Sequence, residues 1–186
     1  ADRMRLNFDT SFMGKDRLRV RLQARNITEF QGNVTGTRMT RLGFDGNEDN
    51  DVELDDLYYY FPLGDKVRVA ISAANTELNH LVETLSPFES SGNGSISRFG
   101  RFNPIYRMTG STGLVVNYQF SDRASLDFAY MVRDPEDSSG ENGLFNGNYG
   151  AVAQFIFEPI NNLNLGLTYV HSYNTGGSNS GVNLTG

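Results

Sequence analysis

The sequence predicts an all-β fold, an antiparallel up-and-down transmembrane β-barrel of which about eight strands are present. Apolar and polar residues alternate with period two over segments of about nine residues, as in strands with one apolar face. At roughly 3.3 Å per residue and a tilt of about 40°, such a segment spans close to the roughly 25 Å apolar band of an outer-membrane barrel. Tight turns between the segments alternate with long loops, an asymmetry typical of these barrels.

The first hairpin has a strand that ends near Phe12, a turn at 14–16 and a second strand over 17–25. The second strand alternates leucine, valine and alanine with arginine, so a row of guanidinium groups lies on one face. A soluble edge strand could also expose such a row to water. From this hairpin alone, a soluble edge strand and a barrel strand are equally favoured.

The loop over 26–51 contains a segment, 38–44, that could form a short strand. The acidic end of the loop places oxygen ligands at alternate positions, as calcium loops do. These residues are Asp45, Asn47, Asp49 and Asp51. Asn50 stands where calcium loops have glycine, and Asp56 stands where they have glutamate. The segment is therefore either a weak calcium site or a solvated acidic loop, and the two mismatches favour the loop.

The second hairpin is predicted over 52–61 and 66–73, with a tight turn at 62–65. Leu57 and Phe61 share one face of the first of these strands, whereas Leu54 has the opposite parity. The change of parity predicts a β-bulge near Asp55 and Asp56.

The segment over 74–111 is too long for an ordinary connection, which favours a functional role. A helical turn or two is expected over 77–85. Further on, arginines are interleaved with aromatic residues: Arg98, Phe99, Arg101, Phe102, Tyr106 and Arg107. A net charge of −6 argues against a nucleic-acid partner, whereas rings and guanidinium groups suit sugars or small anions. We expect a constriction loop that folds into the lumen; the alternative is an ordinary solvated loop.

The clearest hairpin covers 112–132 and turns at 121–123. An acidic loop over 133–148 follows it, and a fourth hairpin covers 149–173 with its turn at 158–162. We therefore predict eight strands in four hairpins within a single domain, 1–186. The long outer loops are expected at about 26–51, 74–111, 133–148 and 174–186.

The apolar faces of the predicted strands are expected to contact lipid. Representative residues are Leu18, Val20, Leu22, Val67, Val69, Leu114, Val116, Leu126 and Phe128. An aromatic residue stands at or next to the start of every tight turn: Phe12, Phe61, Phe120 and Phe157. These four predict the inner aromatic girdle of a barrel, with Tyr130, Tyr149 and Tyr169 or Tyr173 as candidates for the outer one.

Eight of the 16 basic residues fall on the polar faces of strands, whereas most acidic residues fall in long loops. The predicted pore-lining residues are these eight and two tyrosines: Arg3, Arg5, Arg17, Arg19, Arg21, Arg25, Tyr58, Tyr60, Lys66 and Arg68. Like charges along a narrow passage with a low-dielectric wall focus the potential, so a mild preference for anions is expected.

Four stretches of the sequence resemble the carbohydrate-selective porin family, most closely its cyanobacterial branch. They are residues 14–26, 40–44, 52–59 and 61–66, and the resemblance extends over essentially the whole chain. Members of that branch carry an S-layer-homology domain and are often labelled iron uptake porins. The resemblance implies a passive channel for small solutes in the cell outer membrane.

The sequence is expected to be an internal part of a barrel of roughly 16 to 18 strands. If the tight turns are periplasmic, the first strand begins and the eighth ends on the outer side, whereas complete bacterial barrels normally have both termini inside. The S-layer-homology domain, which in the resembled branch holds peptidoglycan, is absent from these 186 residues.

The predicted function is an outer-membrane porin, a passive water-filled channel for small hydrophilic solutes, with inorganic ions, sugars and iron species as candidates. Alternatives are a soluble β-sheet binding module and a mainly structural outer-membrane anchor. No enzyme and no cofactor are predicted, since Ser172 and His171 are strand neighbours that point to opposite faces and His80 lies in a loop. The expected partners are outer-membrane lipid, small solutes or ions and, as an open alternative, further copies of the chain, with no nucleic acid.

Overall fold

The computed structural model describes residues 1–32, 34–133, 135, 143–145 and 147–173. Within these ranges the chain forms nine strands: β1 (Arg3–Thr10), β2 (Arg17–Ile27), β3 (Gly46–Asn47), β4 (Glu53–Leu63), β5 (Val67–Ala74), β6 (Thr112–Ser121), β7 (Ala124–Val132), β8 (Tyr149–Ile160) and β9 (Leu163–Tyr173). The eight longer strands correspond to the eight predicted from the alternation of apolar and polar residues.

The strands form one antiparallel sheet in the order β1-β2-β4-β5-β6-β7-β8-β9, and β3 pairs only with β2. Each longer strand therefore lies beside its neighbours in the chain, which confirms the predicted all-β, up-and-down order. Within the described residues β1 and β9 lie at opposite ends of this order, so the sheet is not closed into a barrel.

The predicted bulge is present at the pairing of β2 with β4. Arg21 pairs with Asp56 and Leu22 pairs with Leu54, so Asp55 is the extra residue. The short strand expected over 38–44 is wrong: Arg38–Thr40 is a 3₁₀ helix, and Leu42 makes an isolated bridge to Ser97. Thr37 begins this 3₁₀ helix because its side chain accepts a hydrogen bond from the backbone N–H of Met39.

The connection between β5 and β6, residues 75–111, is called the insertion below. It contains three 3₁₀ helices, Leu78–His80, Arg98–Gly100 and Pro104–Met108, of which the first falls within the helical turn expected over 77–85. In the described part of the chain, every helix is too short or too polar to cross a membrane.

The hydrophobic core lies between the insertion and one face of the sheet, called the covered face. Its buried sheet residues are Tyr58, Ala70, Val115, Ala129, Met131 and Val152. The insertion contributes Leu78, Leu81, Val82, Phe102 and Tyr106 to the same core. The covered face is thus the polar or mixed face of the sequence pattern, and the insertion supplies most of its large apolar partners.

The opposite face, called the apolar face, is exposed. Leu114 is 45 % exposed, Phe128 is 49 % exposed and Leu167 is 74 % exposed. A soluble protein normally buries such residues and rarely leaves a large contiguous apolar surface in water. The sheet therefore exposes the face that a soluble sheet would bury.

Aromatic rings cluster at both ends of the apolar face. At the end with the tight turns, ring centroids are 6.0 Å apart for Phe12 and Tyr59 and 4.6 Å apart for Tyr118 and Phe120. At the other end, the Tyr149 ring stacks on Tyr130 and Tyr173, with centroid distances of 5.3 and 5.8 Å. These clusters lie where the sequence predicted the two girdles.

Candidate functional site

The insertion is fixed to the covered face by buried polar contacts. The amide of Gln154 in β8 donates to the carbonyl of Glu83 at 2.7 Å and to the Asp127 carboxylate at 3.2 Å. The hydroxyl of Tyr106 contacts the side-chain oxygen of Gln154, which also accepts from Thr168 at 2.8 Å. These contacts join the insertion to three neighbouring strands.

Burial adjusts the ionisation of the groups in this network. Burial raises the pKa of Tyr106, so its hydroxyl stays neutral and remains a hydrogen-bond donor. Burial, followed by repulsion from Asp127, raises the pKa of Glu83. Asn117 in β6 donates to Asp127 at 2.7 Å and to the carbonyl of Leu81 at 3.2 Å. The neutral donors therefore hold the insertion beside a buried carboxylate.

A second set of contacts fixes the insertion to β1. Guanidinium nitrogens of Arg3 and Arg5 donate to the Ser91 hydroxyl at 3.1 and 3.2 Å. Arg101 is buried and donates to the carbonyl of Glu89 at 2.7 Å. The insertion therefore crosses the covered face and is held at both β1 and β8.

The predicted constriction-loop residues come together in the insertion. Two guanidinium groups lie over the Phe102 ring, Arg101 at 5.0 Å and Arg107 at 4.2 Å from its centroid. The ring also stacks on Tyr106 at 6.0 Å. Arg98 and Phe99 lie in the 3₁₀ helix before Arg101, and the carbonyl of Arg98 accepts from Arg107 at 2.9 Å.

Around the insertion, the described residues line three cavities that contain charged and polar side chains. The first, about 330 Å³, lies beside β1 and β2, where Arg3, Arg5 and Arg25 face Asp55 and acidic residues of the loops. The second, about 190 Å³, lies within the insertion and is lined by arginines of that segment. The third, about 410 Å³, lies toward the tight turns and is lined by Lys66, Arg68 and neighbouring polar residues. Open space bordered by polar residues thus lies on both sides of the insertion.

The arginine row of β2 lies on the covered face, but its charges are paired with carboxylates. Arg17 and Arg19 contact Asp9 at 2.9 and 2.8 Å. Arg21 contacts Asp56 at 2.7 Å, as the register across the β-bulge allows. Arg25 is paired in the same way with Glu48 at 2.7 Å. The sequence predicted the row of arginines but not these carboxylate partners, which come from β1, from β4 and from the loop between β2 and β4.

The remaining predicted wall residues lie on or beside the same face. Tyr58 and Tyr60 stack at 6.4 Å, and Arg17 and Arg68 lie over their rings at 5.9 and 5.3 Å. Lys66 precedes β5 and donates to the Phe120 carbonyl at 3.4 Å. Each ring of this aromatic pair therefore has one guanidinium group over it.

The structure does not bring the predicted calcium ligands together. Asp45 accepts from the backbone N–H of Leu42 at 2.9 Å and contacts Arg41 at 3.4 Å. Asn47 bonds to Asp49 instead of converging with Asp51 on a common point. Among the described residues, no group of three or more acidic or histidine side chains could hold a metal ion.

Sequence reasoning missed the polar residues that anchor the insertion. Asn117, Asp127, Gln154 and Thr168 occupy paired positions on adjacent strands β6 to β9. Each has covered-face parity, so a row of polar residues across four neighbouring strands was a usable signal. Sequence reasoning placed His80 in a loop but missed its contact: its ring nitrogen lies 3.1 Å from the buried Asp56 carboxylate.

Comparison with known proteins places this arrangement in a family. The profile described as "Carbohydrate-selective porin, OprB family" matches residues 1–185. An uncharacterized protein of Synechocystis is 38% identical over 177 residues, which cover 93% of this chain and 32% of that protein. An uncharacterized protein of Nostoc is 33% identical over 192 residues, covering 92% of this chain and 33% of that protein. No solved structure matches the chain.

Proposed function

The chain belongs to the carbohydrate-selective porin family, and from this premise we propose that its sheet forms part of the wall of an outer-membrane channel. The apolar face contacts lipid, and the covered face lines a water-filled lumen. The insertion lies inside that lumen and narrows it, as the constriction-loop hypothesis requires.

The observation that carries the proposal is the exposure of the apolar face beside a polar face covered by the insertion. In a bilayer, an exposed apolar face has the partner that water does not provide. The aromatic clusters at both ends of that face lie at the positions expected for membrane interfaces. The three cavities around the insertion supply the polar path.

We propose that the solutes are small and hydrophilic, including inorganic ions, sugars or iron species, and that they pass without energy input. Half-buried Tyr60, with Arg68 over its ring, supports sugar contact, because rings pack against sugars and guanidinium groups bond to hydroxyls. Tyr58 is buried in the core beneath the insertion and is not offered to a solute. We also propose that the anion preference is mild, since the carboxylates paired with the β2 arginines offset part of their charge.

The chain spans about a third of the length of the curated relatives that it matches. The complete channel, its outer-membrane location, its oligomeric state and any peptidoglycan contact are therefore proposals about the longer protein. The family is one of channels, and the proposal assigns no catalytic residue.

The test is single-channel conductance of the intact protein in planar bilayers, with and without residues 90–97. This deletion removes Ser91, which bonds to Arg3 and Arg5, and shortens the insertion over the cavity beside β1. We expect a larger conductance because the narrowed part of the lumen widens. Ser91→Ala is the matched control: it removes the hydroxyl that bonds to Arg3 and Arg5, keeps the backbone carbonyl of residue 91 and does not shorten the segment, so a much smaller change is expected. Unchanged conductance and selectivity after the deletion would place the insertion outside the pore.

A further inference from the structure

We propose that the cavity within the insertion is a binding site for a free phosphate anion, held by Arg98 and Arg107. The cavity has a volume of about 190 Å³, several times the roughly 30 Å³ that one water molecule occupies in the liquid. It lies on the covered face, away from the apolar face. A small soluble anion is therefore the occupant that its size and position fit.

The charges around the cavity are unbalanced. Among the residues that the structure describes, Arg98, Arg107 and Arg133 line it against a single carboxylate, that of Glu77. Glu77 also lies 3.8 Å from Arg101, so its charge is shared with a cation outside the cavity. Among the described residues, no carboxylate oxygen lies within 4.0 Å of the Arg98 or Arg107 guanidinium, in contrast to the paired arginines of β2.

Arg107 has hydrogen-bonding capacity that its protein contacts leave unused. Its Nη2 donates to the carbonyl of Arg98, but its Nε and Nη1 are buried and have no partner in the described part of the chain. The Phe102 ring below the guanidinium attracts the cation, yet it supplies no oxygen acceptor to the N–H groups in the guanidinium plane. Unpartnered buried donors are costly, and an oxygen-rich anion beside them removes that cost.

The electrostatic surroundings of Arg107 favour the same ligand. Burial and the nearby Arg98 lower the pKa of Arg107 to about 9. Burial and repulsion from Arg41 lower the pKa of Arg98 as well. A bound anion relieves the repulsion between these cations and favours their charged forms.

Asn79 selects among the oxyanions. Asn79 lines the cavity, and its side-chain nitrogen donates to Glu89 at 2.7 Å. Its side-chain oxygen is buried and has no donor among the described residues. Hydrogen phosphate carries an O–H group that can donate a hydrogen bond to this oxygen, whereas sulfate carries no O–H group. A site with an unpartnered acceptor discriminates against the ligand that lacks the donor, so phosphate should bind more tightly than sulfate.

This inference deepens the proposed function and rests on it for one point, that the anion reaches the cavity through the lumen. Binding itself depends only on the residues that line the cavity, not on conduction. The experiment therefore measures binding first and conduction second, so that the two ideas fail separately.

The binding experiment is calorimetric titration of the intact protein in detergent with sodium phosphate and, separately, with sodium sulfate at constant ionic strength. We expect phosphate to bind more tightly than sulfate. Arg107→Gln and Arg98→Gln should each weaken phosphate binding by about tenfold, the loss expected for one charge-assisted hydrogen bond. Arg123→Gln is the matched control, since Arg123 lies in an exposed turn and bonds to Asn161. It should leave binding unchanged.

Two results would overturn the site. Phosphate affinity that is the same in the parent protein and in both variants would show that Arg98 and Arg107 do not bind it. Sulfate binding as tight as phosphate would overturn the phosphate assignment. Thermal unfolding of each variant identifies misfolding, and Arg98→Gln keeps the test decisive if Arg107→Gln fails to fold. If phosphate binds as expected but the protein conducts no ions, the channel proposal fails and the site stands.

Discussion

Asp16 closes the turn between β1 and β2 with four hydrogen bonds. It accepts from the Ser11 hydroxyl and the backbone N–H of Met13, both at 2.7 Å, and from the N–H of Phe12 at 3.0 Å. The Tyr59 hydroxyl of β4 donates to it at 2.8 Å. One side chain thus fixes a tight turn and joins it to an aromatic residue of the apolar face.

The carboxylate of Asp16 should stabilise the folded protein at neutral pH. Burial alone would raise its pKa, but the hydrogen bonds from Ser11, Phe12, Met13 and Tyr59 hold the pKa well below its usual value. A depressed pKa contributes stability that is present above the unfolded pKa of about 3.9 and is lost as the pH falls through the folded value.

We expect Asp16→Asn to lower the thermal unfolding temperature at pH 7, and the difference from the parent protein to shrink below about pH 3.9. The measurement is unfolding of the intact protein in detergent at pH 7 and pH 2.5. Asp65→Asn, in the exposed turn after β4, is the control and should change little. A difference that stays constant with pH would show that the charge of Asp16 does not act in this way.

At the residue scale, the sequence predicts which face a side chain occupies but not its partner. Arg21 is assigned to the polar face by period two alone. Its contact with Asp56 depends on an extra residue at Asp55 that changes the register of β4. The charge balance of the wall therefore becomes visible only when the strands are paired.

The insertion depends on the element beneath it. At Gly150 in β8, an added Cβ would lie 2.8 Å from the Cα of Thr109, so a larger residue would force the insertion away from the strand. Beside it, Gln154 bonds to the insertion and to Asp127. β8 thus combines a close backbone approach with a polar anchor.

Two substitutions grade the strength of this anchor. Tyr106→Phe removes one hydroxyl, but Gln154 keeps the donor Thr168 and the Glu83 carbonyl keeps the donor Gln154. We therefore expect a loss of about 0.5–1.5 kcal/mol of unfolding free energy. Gln154→Leu leaves several buried groups without partners and should cost more, about 1–3 kcal/mol.

The measurement is denaturant unfolding of the intact protein. Tyr169→Phe on the exposed apolar face is the control and should be neutral. A larger loss of unfolding free energy for Tyr106→Phe than for Gln154→Leu would show that Gln154 is not the stronger anchor.

At the element scale, the strands were predictable because period-two alternation is a local signal. The loop over 26–51 was not, because β3 forms by pairing with the end of β2 and Leu42 bridges to Ser97 in the insertion. Those are long-range contacts without a periodic pattern. The long segment between β5 and β6 was recognisable from its length and composition, whereas its anchors on β8 required the tertiary structure.

At the scale of the whole molecule, polarity is arranged in reverse of a soluble sheet. The insertion supplies the core on the covered face, and the apolar face keeps its large side chains exposed. Family membership and the two aromatic clusters agree with a lipid partner for the apolar face. The central claim is therefore that adjacent residues of one strand meet different solvents.

Thiol labelling of single cysteines tests this claim most directly, since these 186 residues contain no cysteine. Val116→Cys and Leu167→Cys report on the apolar face, and Gln119→Cys and Asn164→Cys report on the opposite face of the same two strands. The intact protein, in a cysteine-free background, is reconstituted in lipid vesicles and treated with a charged maleimide. We expect Gln119→Cys and Asn164→Cys to react and Val116→Cys and Leu167→Cys to stay protected until the protein is unfolded. Equal labelling at all four positions would show that the apolar face meets water and would contradict the channel wall.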